Sequence, residues 1–429
     1  REEIRPAVYR RDTVEELAAA AAKVGKKAKV HIKVDTGMGR IGITPDEEGL
    51  EFVRFLIEHP ELEVEGIFTH FAKSDETDKT SANHQLELFQ DFIKKIPEAM
   101  IYKANEQRYS SMSYNKCGNS GLWLPAVSLG LWHNFGGTDC YENGLEIVKY
   151  AFDHGITHFD LANNYGPPAG SAEENFGRML KKDFAPYRDE IIITSKAGHL
   201  MWDGPYGDGG SRKYIMASID QTLKRLQTDY VDIFYSHRYD PNTPLDETLQ
   251  ALCDIVRQGK ALYIGLSKYP IDKLLYAFNF LKNAGTPCLV YQDKYNMLAR
   301  NVEEHHLHAV ETHGTGFVAF SPLAQGMLTD KYLHGIPKGS RAERPEGFLK
   351  AEQITDKVIT TVTRLQEIAQ KRGQSTGQLA LAWVLRHTAV TSVIIGARNV
   401  EQLKENMETL NHLSFTDDEI KKIEEILQA

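Results

Sequence analysis

Cysteine is scarce in this chain: four in 429 residues, Cys117, Cys140, Cys253 and Cys288. They stand far apart, with no C-x-x-C pair and no histidine grouping at zinc spacing. That argues against a disulfide framework and a structural metal, and makes a reducing cytoplasm the expected setting. Positive charge is in deficit as well, with 50 Lys and Arg against 59 Asp and Glu and a formal net charge of −9. A nucleic-acid binder would normally carry a basic face, so none is expected as a partner. Long apolar runs are missing too. None approaches the ~18 residues that span a bilayer, and the chain opens on charged Arg1-Glu2-Glu3 rather than a signal peptide. No membrane association is expected. What is present is ordinary globular material, 41% hydrophobic and 25% charged, long enough for about two domains of roughly 100–200 residues.

Short apolar, β-branched runs alternate with longer amphipathic stretches from end to end, the pattern of βα units on a parallel sheet. The first hundred residues hold three such units. Their strands fall near Pro6–Tyr9, Val30–Asp35 and Val64–Thr69, with helices over Thr13–Val24, Thr44–His59 and Asn83–Ile96. Thr44-Pro45-Asp46-Glu47 reads as a helix start, with an N-cap hydroxyl, a first-turn proline and a capping-box glutamate. Three units cannot close a barrel. After a hairpin over Ser113–Pro125, eight further strands follow. They lie near Val127–Gly130, His158–Ala162, Ile191–Ala197, Val231–Arg238, Ala261–Ser267, Leu289–Lys294, Gly316–Pro322 and Ser392–Ala397. Eight is the number that closes a (β/α)8 TIM barrel. A long helical stretch, Thr355–His387, sits between the last two strands, and Thr416–Leu427 is a final helix. Met100 stands where the second texture begins and reads as the start of a complete protein. The expected organisation is a partial barrel fragment of three βα units over 1–99 and a closed α/β barrel over 100–429.

In such a barrel, catalytic groups come from the C-terminal ends of the strands. Three successive strand ends here carry ionisable residues: Asp160 with Tyr165 beyond it, Lys196, and His237. A lysine and an aspartate inside apolar strands are costly to bury unless they meet each other. The four would support proton donation to a carbonyl. A free phenol titrates near 10, and an adjacent ammonium is expected to lower that value. Asp160 would hold Lys196 in place, and His237 would orient the carbonyl oxygen.

Asp160-x-x-x-x-Tyr165, then Lys196, then His237 resemble the tetrad of the aldo-keto reductases. Further stretches resemble a bacterial branch of that family acting on small aldehydes, itself related to the β subunits of voltage-gated potassium channels. They include Leu129-Gly130-Leu131-Trp132, Asn164-Tyr165-Gly166-Pro167-Pro168, Gly209-Gly210-Ser211-Arg212-Lys213-Tyr214 and Tyr230-Val231-Asp232-Ile233-Phe234. The resemblance implies an NADPH/NADP+-dependent reductase of small aldehydes such as L-glyceraldehyde 3-phosphate and methylglyoxal. It places Trp132, Asp160, Ser267, Lys268 and Gln292 at the nicotinamide end, with Phe320 stacked on the ring. Ser321, Pro322, Leu323, Gln325 and Gly326 would wrap the pyrophosphate. Gly396, Ala397, Arg398, Gln402, Glu405 and Asn406 would hold the adenosine end, with Lys331 and Arg341 as further cofactor contacts. Trp132, His133, Trp202 and Arg238 would shape the substrate pocket, with Arg238 and Arg212 as candidates for meeting a phosphate. There are departures. Ser267-Lys268 stands where many members carry serine-asparagine, leaving the amide contact at Lys268 open. The lysine-serine-to-arginine signature for the 2′-phosphate is replaced by Gly396, Arg398 and Gln402.

The leading segment carries a second resemblance. Lys33-Val34-Asp35-Thr36-Gly37-Met38-Gly39-Arg40 and Gly66-Ile67-Phe68-Thr69-His70-Phe71 resemble the pyridoxal-phosphate barrel of alanine racemase, in which the positions of Lys33, Arg40 and His70 line the cofactor site. The strand with the Schiff-base lysine and the domain with the catalytic tyrosine are missing. Lys103-Ala104-Asn105 mimics the Schiff-base motif in the wrong order and is read as coincidence. Three readings therefore stand: an active reductase, a partner-binding subunit of channel type, and a racemase remnant. His237 favours the first, because the channel subunits depart from the family there. The expected partner is a small aldehyde, with room for a homo-oligomer.

Overall fold

The computed structural model describes residues 4–99, 102–338, 340, 342–343 and 349–429. Met100 and Arg341 lie outside the described residues. The chain divides into two units, Arg1–Lys103 and Ala104–Ala429.

In the first unit the order is β1 (Ala7–Val8), α1 (Arg11–Val24), β2 (Ala28–Val34), α2 (Glu47–Ile57), β3 (Leu62–Thr69) and α3 (Thr80–Ala99). The strands form a parallel sheet in the order β1-β2-β3. Val30, Ile32 and Val34 of β2 are buried in one cluster with Val14, Leu50, Val53, Leu56 and Phe92 from the helices. The helix expected from Thr44 starts later than its sequence suggested. Ile43 is bridged to Val34, and its N–H donates to the Lys33 carbonyl at 2.9 Å, so the backbone is still extended there. The cap is Asp46, whose carboxylate accepts the Gly49 N–H at 3.2 Å and the Thr44 hydroxyl at 2.7 Å. Conversely, α3 begins three residues earlier than expected, behind Asp78, which accepts the Thr80 N–H at 2.9 Å.

The second unit opens with an antiparallel hairpin, β4 (Tyr114–Lys116) and β5 (Trp123–Pro125). Then come β6 (Val127–Gly130), α4 (Tyr141–Asp153), β7 (His158–Asp160), α5 (Ser171–Met179), β8 (Ile192–Ala197), α6 (Arg212–Leu226), β9 (Val231–Ser236) and α7 (Leu245–Arg257). The order continues with β10 (Ala261–Ser267), α8 (Ile271–Asn283), β11 (Val290–Lys294), α9 (His306–His313), β12 (Gly316–Phe320), α10 (Asp356–Lys371) and α11 (Thr376–Leu385). It ends with β13 (Val390–Ile395), α12 (Val400–Met407) and α13 (Asp417–Gln428). The eight strands β6 to β13 pair in parallel and close, β13 against β6. Leu124 and Cys117 of the hairpin region share a buried cluster with Ile233, Tyr235, Val290, Val318 and Ile394 of the barrel.

Two expectations change here. The single stretch Thr355–His387 is two helices, because Gly373 turns left-handed (φ 66°) and Ser375 recaps the chain. Ser375 accepts the Gln378 N–H at 3.3 Å, and Gln378 accepts the Ser375 N–H at 3.0 Å. The ninth strand ends at Ser236, which leaves His237 and Arg238 on the loop beyond it. Among the described residues no helix is long and apolar enough to cross a membrane.

Candidate active site at the barrel mouth

Parallel register sets the centre of the site. Asp160 pairs with Thr194 across β7 and β8, and Lys196 pairs with Tyr235 across β8 and β9. Alternation along the strands then turns Asp160 and Lys196 to the same interior face. The Lys196 side chain is wholly buried, and its ammonium donates to Asp160 Oδ2 at 2.6 Å and to the Leu161 carbonyl at 2.7 Å. The other Asp160 oxygen accepts Thr194 Oγ1 at 2.9 Å and Gln292 Nε2 at 3.0 Å. Burial holds the Lys196 ammonium below its ordinary pKa, and the Asp160 charge opposes that shift.

Tyr165 stands on the loop after β7, its hydroxyl 3.5 Å from Lys196 Nζ. The loop is fixed to the start of α5 by the Gly170 and Ala172 N–H groups, which donate to the Tyr165 carbonyl at 3.0 and 3.3 Å. Gly166 follows because nothing larger fits: a Cβ there would lie 2.0 Å from the Pro168 carbonyl oxygen. Burial, with the Asp160 charge second, pushes the Tyr165 phenol well above its ordinary value. This corrects the expectation that Lys196 would lower it. Asp160 already neutralises the ammonium, so the cost of desolvating a phenolate dominates. The phenol is therefore protonated at neutral pH.

His237 is anchored by its N–H to the Ala197 carbonyl at 2.8 Å. Its ring meets Tyr165 edge-on at 6.1 Å and His199 at 4.5 Å. Burial, then the positive charges of Lys196 and Lys268, hold His237 well below its ordinary pKa, so it is neutral. Its Nδ1 has no partner among the described residues.

A cavity of about 950 Å³ opens over these groups, at the upper end of the ~300–1,000 Å³ usual for small-molecule sites. Trp132, His133, Asp160, Tyr165, His237, Lys268 and Gln292 line one end. It continues along Phe320, Ser321, Pro322, Leu323, Gln325, Gly326 and Lys331 to Gly396, Ala397, Arg398, Gln402, Glu405 and Asn406. The wall has unusual backbone: Ser321, Gln325 and Lys268 all have φ between 52° and 59°. Left-handed non-glycine residues are uncommon and gather at functional sites. Buried polar atoms without a partner also border the cavity, Asn164 Oδ1 and Asn406 Nδ2 among them. Such atoms await a ligand or water. The donor set, an amide, an aromatic ring, a strained loop and a cation at the far end, fits a long polar cofactor.

Several expected residues fall elsewhere. Lys196 and Ser267 are buried and do not line the cavity. Trp202 packs against Tyr214, ring centres 5.4 Å apart. Arg238 donates to the Gly198 carbonyl at 2.6 Å and to both Asp208 oxygens at 2.9 and 3.1 Å. Arg212 pairs with Asp254 at 2.6 Å. None of these three lines the cavity, because nearby carboxylates and a backbone oxygen hold both arginines. Asn164, His199 and Thr376 line it and were missed. His199, three residues past Lys196, could have been found by the strand-end rule that found the tetrad.

A closed parallel barrel with a protonated phenol, a neutral imidazole and a buried Lys–Asp pair at its mouth defines a (β/α)8 oxidoreductase. The chain belongs to the aldo/keto reductase family, whose model matches residues 126–428. It is 52% identical over 330 residues to L-glyceraldehyde 3-phosphate reductase of Escherichia coli (strain K12), covering 76% of this chain and 95% of that protein. It is 35% identical over 325 residues to a probable voltage-gated potassium channel subunit beta of Arabidopsis thaliana, covering 74% of this chain and 97% of that protein. Residues 1–115 match the family model for the N-terminal domain of alanine racemase. That match runs past the division after Lys103. The Ala104 and Asn105 N–H groups donate to Tyr187 OH at 2.9 Å and Asp153 Oδ1 at 2.7 Å, so the Lys103-Ala104-Asn105 motif runs into the barrel unit.

Proposed function

We propose that this chain reduces short aldehydes with NADPH and that Tyr165 is the proton donor. The observation that carries this reading is the Tyr165 hydroxyl, facing the cavity 3.5 Å from the buried Lys196 ammonium. Bound in the cavity, NADPH supplies the hydride for the carbonyl carbon. Tyr165 holds its proton until charge develops on the carbonyl oxygen, then releases it. Lys196 stabilises the phenolate left behind, and Asp160 keeps Lys196 charged and in place. His237, held neutral, offers a ring N–H to the same oxygen and orients it. Trp132 stacks on Tyr165 at 5.9 Å and on His133 at 4.3 Å, narrowing the pocket to small substrates.

For the cofactor, the proposed contacts are Gln292 at the carboxamide, Phe320 on the ring and Ser321–Gly326 around the pyrophosphate. Gln402, Glu405 and Asn406 meet the adenosine, and Lys331 and Arg398 the 2′-phosphate. Charge-assisted hydrogen bonds are worth roughly 1.5–3 kcal/mol each, so NADPH is expected to bind about tenfold or more tighter than NADH. Fluorescence titration checks this, and equal dissociation constants would sink it. The substrate class is tested by following NADPH oxidation with L-glyceraldehyde 3-phosphate, methylglyoxal and a bulky steroid ketone. Faster turnover of the ketone would overturn the reading.

The barrel unit alone carries this function in our reading. Its eight strands leave no free edge, so the sheet needs nothing from residues 1–103 to be complete. Deleting those residues is expected to leave a soluble, active reductase. An insoluble or inactive truncation would make the two units interdependent.

A further inference from the structure

Asp160 accepts at both oxygens, and one of its donors leads away from the cavity. Thr194 Oγ1 donates to Asp160 Oδ1 at 2.9 Å and lies 3.3 Å from His158 Nε2. His158 stands two residues before Asp160 on β7, so both side chains point into the barrel. Its Nδ1 is 2.8 Å from Ser128 Oγ on β6, and Ser128 Oγ is 2.6 Å from Ser392 Oγ on β13. Ser128, His158, Thr194 and Ser392 are all fully buried. None of them takes part in the proton and hydride transfer described above.

The direction of these bonds follows from the carboxylate. An ionised carboxylate only accepts, so the Thr194 proton points at Asp160. The Thr194 oxygen is then left to accept, which requires a proton on His158 Nε2. Burial holds the His158 pKa down at about 4, with Asp160 opposing the shift and Lys196 adding to it. At neutral pH the ring therefore carries one proton, and Nδ1 takes the hydroxyl proton of Ser128. Every link has its positive end toward Asp160, and hydrogen bonds aligned in this way polarise one another in a low-dielectric interior.

We infer that His158, acting through Thr194, is a positioning residue for Asp160 and thereby for the Lys196 ammonium that serves Tyr165. The inference rests on the reductase reading above and adds what holds its central pair. Asp160 and Lys196 are sealed from water and compete for one proton. A donor at Asp160 Oδ1 makes the carboxylate less basic, which keeps that proton on Lys196. It also fixes the carboxylate so that Oδ2 faces the ammonium at 2.6 Å. Gln292 is a second donor to Oδ1, at 3.0 Å, but it lines the cavity and is open to a ligand. Thr194 and His158 do not line it, so their hold on Asp160 is independent of what the cavity contains.

The test has two arms, both on the full chain. Nitrogen NMR on protein with isotope-labelled histidine reads the ring, the signal lost in His158→Leu assigning it. At neutral pH a single proton on Nε2 is expected, and a proton on Nδ1 or on both nitrogens overturns the inference. The second arm measures the single-turnover rate of NADPH oxidation by methylglyoxal. Thr194→Val and His158→Leu are each expected to slow it about tenfold or more with the NADPH dissociation constant unchanged, and Thr194→Ser to restore most of it. Because the two residues act on one carboxylate oxygen through one chain, the double variant should lose no more than the slower single one. An unchanged rate in Thr194→Val, an equal loss in Thr194→Ser, or a double loss equal to the product of the singles overturns the inference. The ring state is read without substrate, so failure of the hydrogen-bond chain and failure of the reductase reading show up separately.

Discussion

Tyr165→Phe is expected to lower kcat by about 10²–10⁴-fold, the usual worth of a positioned proton donor, while NADPH binding stays close to that of the wild type. The substitution removes one oxygen and keeps the ring that stacks beneath Trp132. The loop is held by backbone bonds from Gly170 and Ala172, which the variant retains. A loss confined to kcat would place the phenol at the chemical step. Retention of more than about a tenth of the activity would mean that another group donates the proton, with His237 as the next candidate.

Lys196→Met is expected to destabilise the fold as well as stop turnover. The pair with Asp160 is sealed from water, and removing one partner of a buried ion pair costs about 3–5 kcal/mol. Asp160 would keep Thr194 and Gln292 as donors but lose its cation. Pairing Lys196→Met with Asp160→Leu should restore most of the lost stability and none of the activity, because an apolar pair of similar volume carries no uncompensated charge. Urea denaturation followed by circular dichroism checks both. A single variant with the wild-type midpoint would mean that the charge is compensated elsewhere.

That Asp160, Lys196 and His237 come together was legible because it depends on little beyond strand order. Asp160, Lys196 and the residue after Ser236 sit at the ends of three consecutive parallel strands, so counting strands brings them together. What depends on packing between distant segments was not legible. Asp208 stands 30 residues from Arg238, and Asp254 stands 42 from Arg212, and no local pattern announced that these carboxylates would claim the arginines. The direction of the Tyr165 shift was missed for a related reason: the sequence showed the neighbouring ammonium but not how fully the phenol is withdrawn from water. At α2 a tertiary bridge from Val34 to Ile43 displaced a local helix start by two residues.

The way the barrel closes has a consequence for how the site comes into being. Ser128 on β6 meets Ser392 on β13 at 2.6 Å across 264 residues of sequence. Contacts so far apart in the chain are slow to form, since a long loop must be closed before they return anything. Asp160, Lys196 and His237 are therefore synthesised well before the strand that closes the barrel leaves the ribosome. At about 5–20 residues per second that interval lasts on the order of ten seconds or more. The segment that closes the barrel also brings Gly396, Arg398, Gln402 and Asn406, the far end of the cavity. Acquiring the complete ligand site and finishing the fold are one event, which keeps a half-made barrel from presenting a finished pocket.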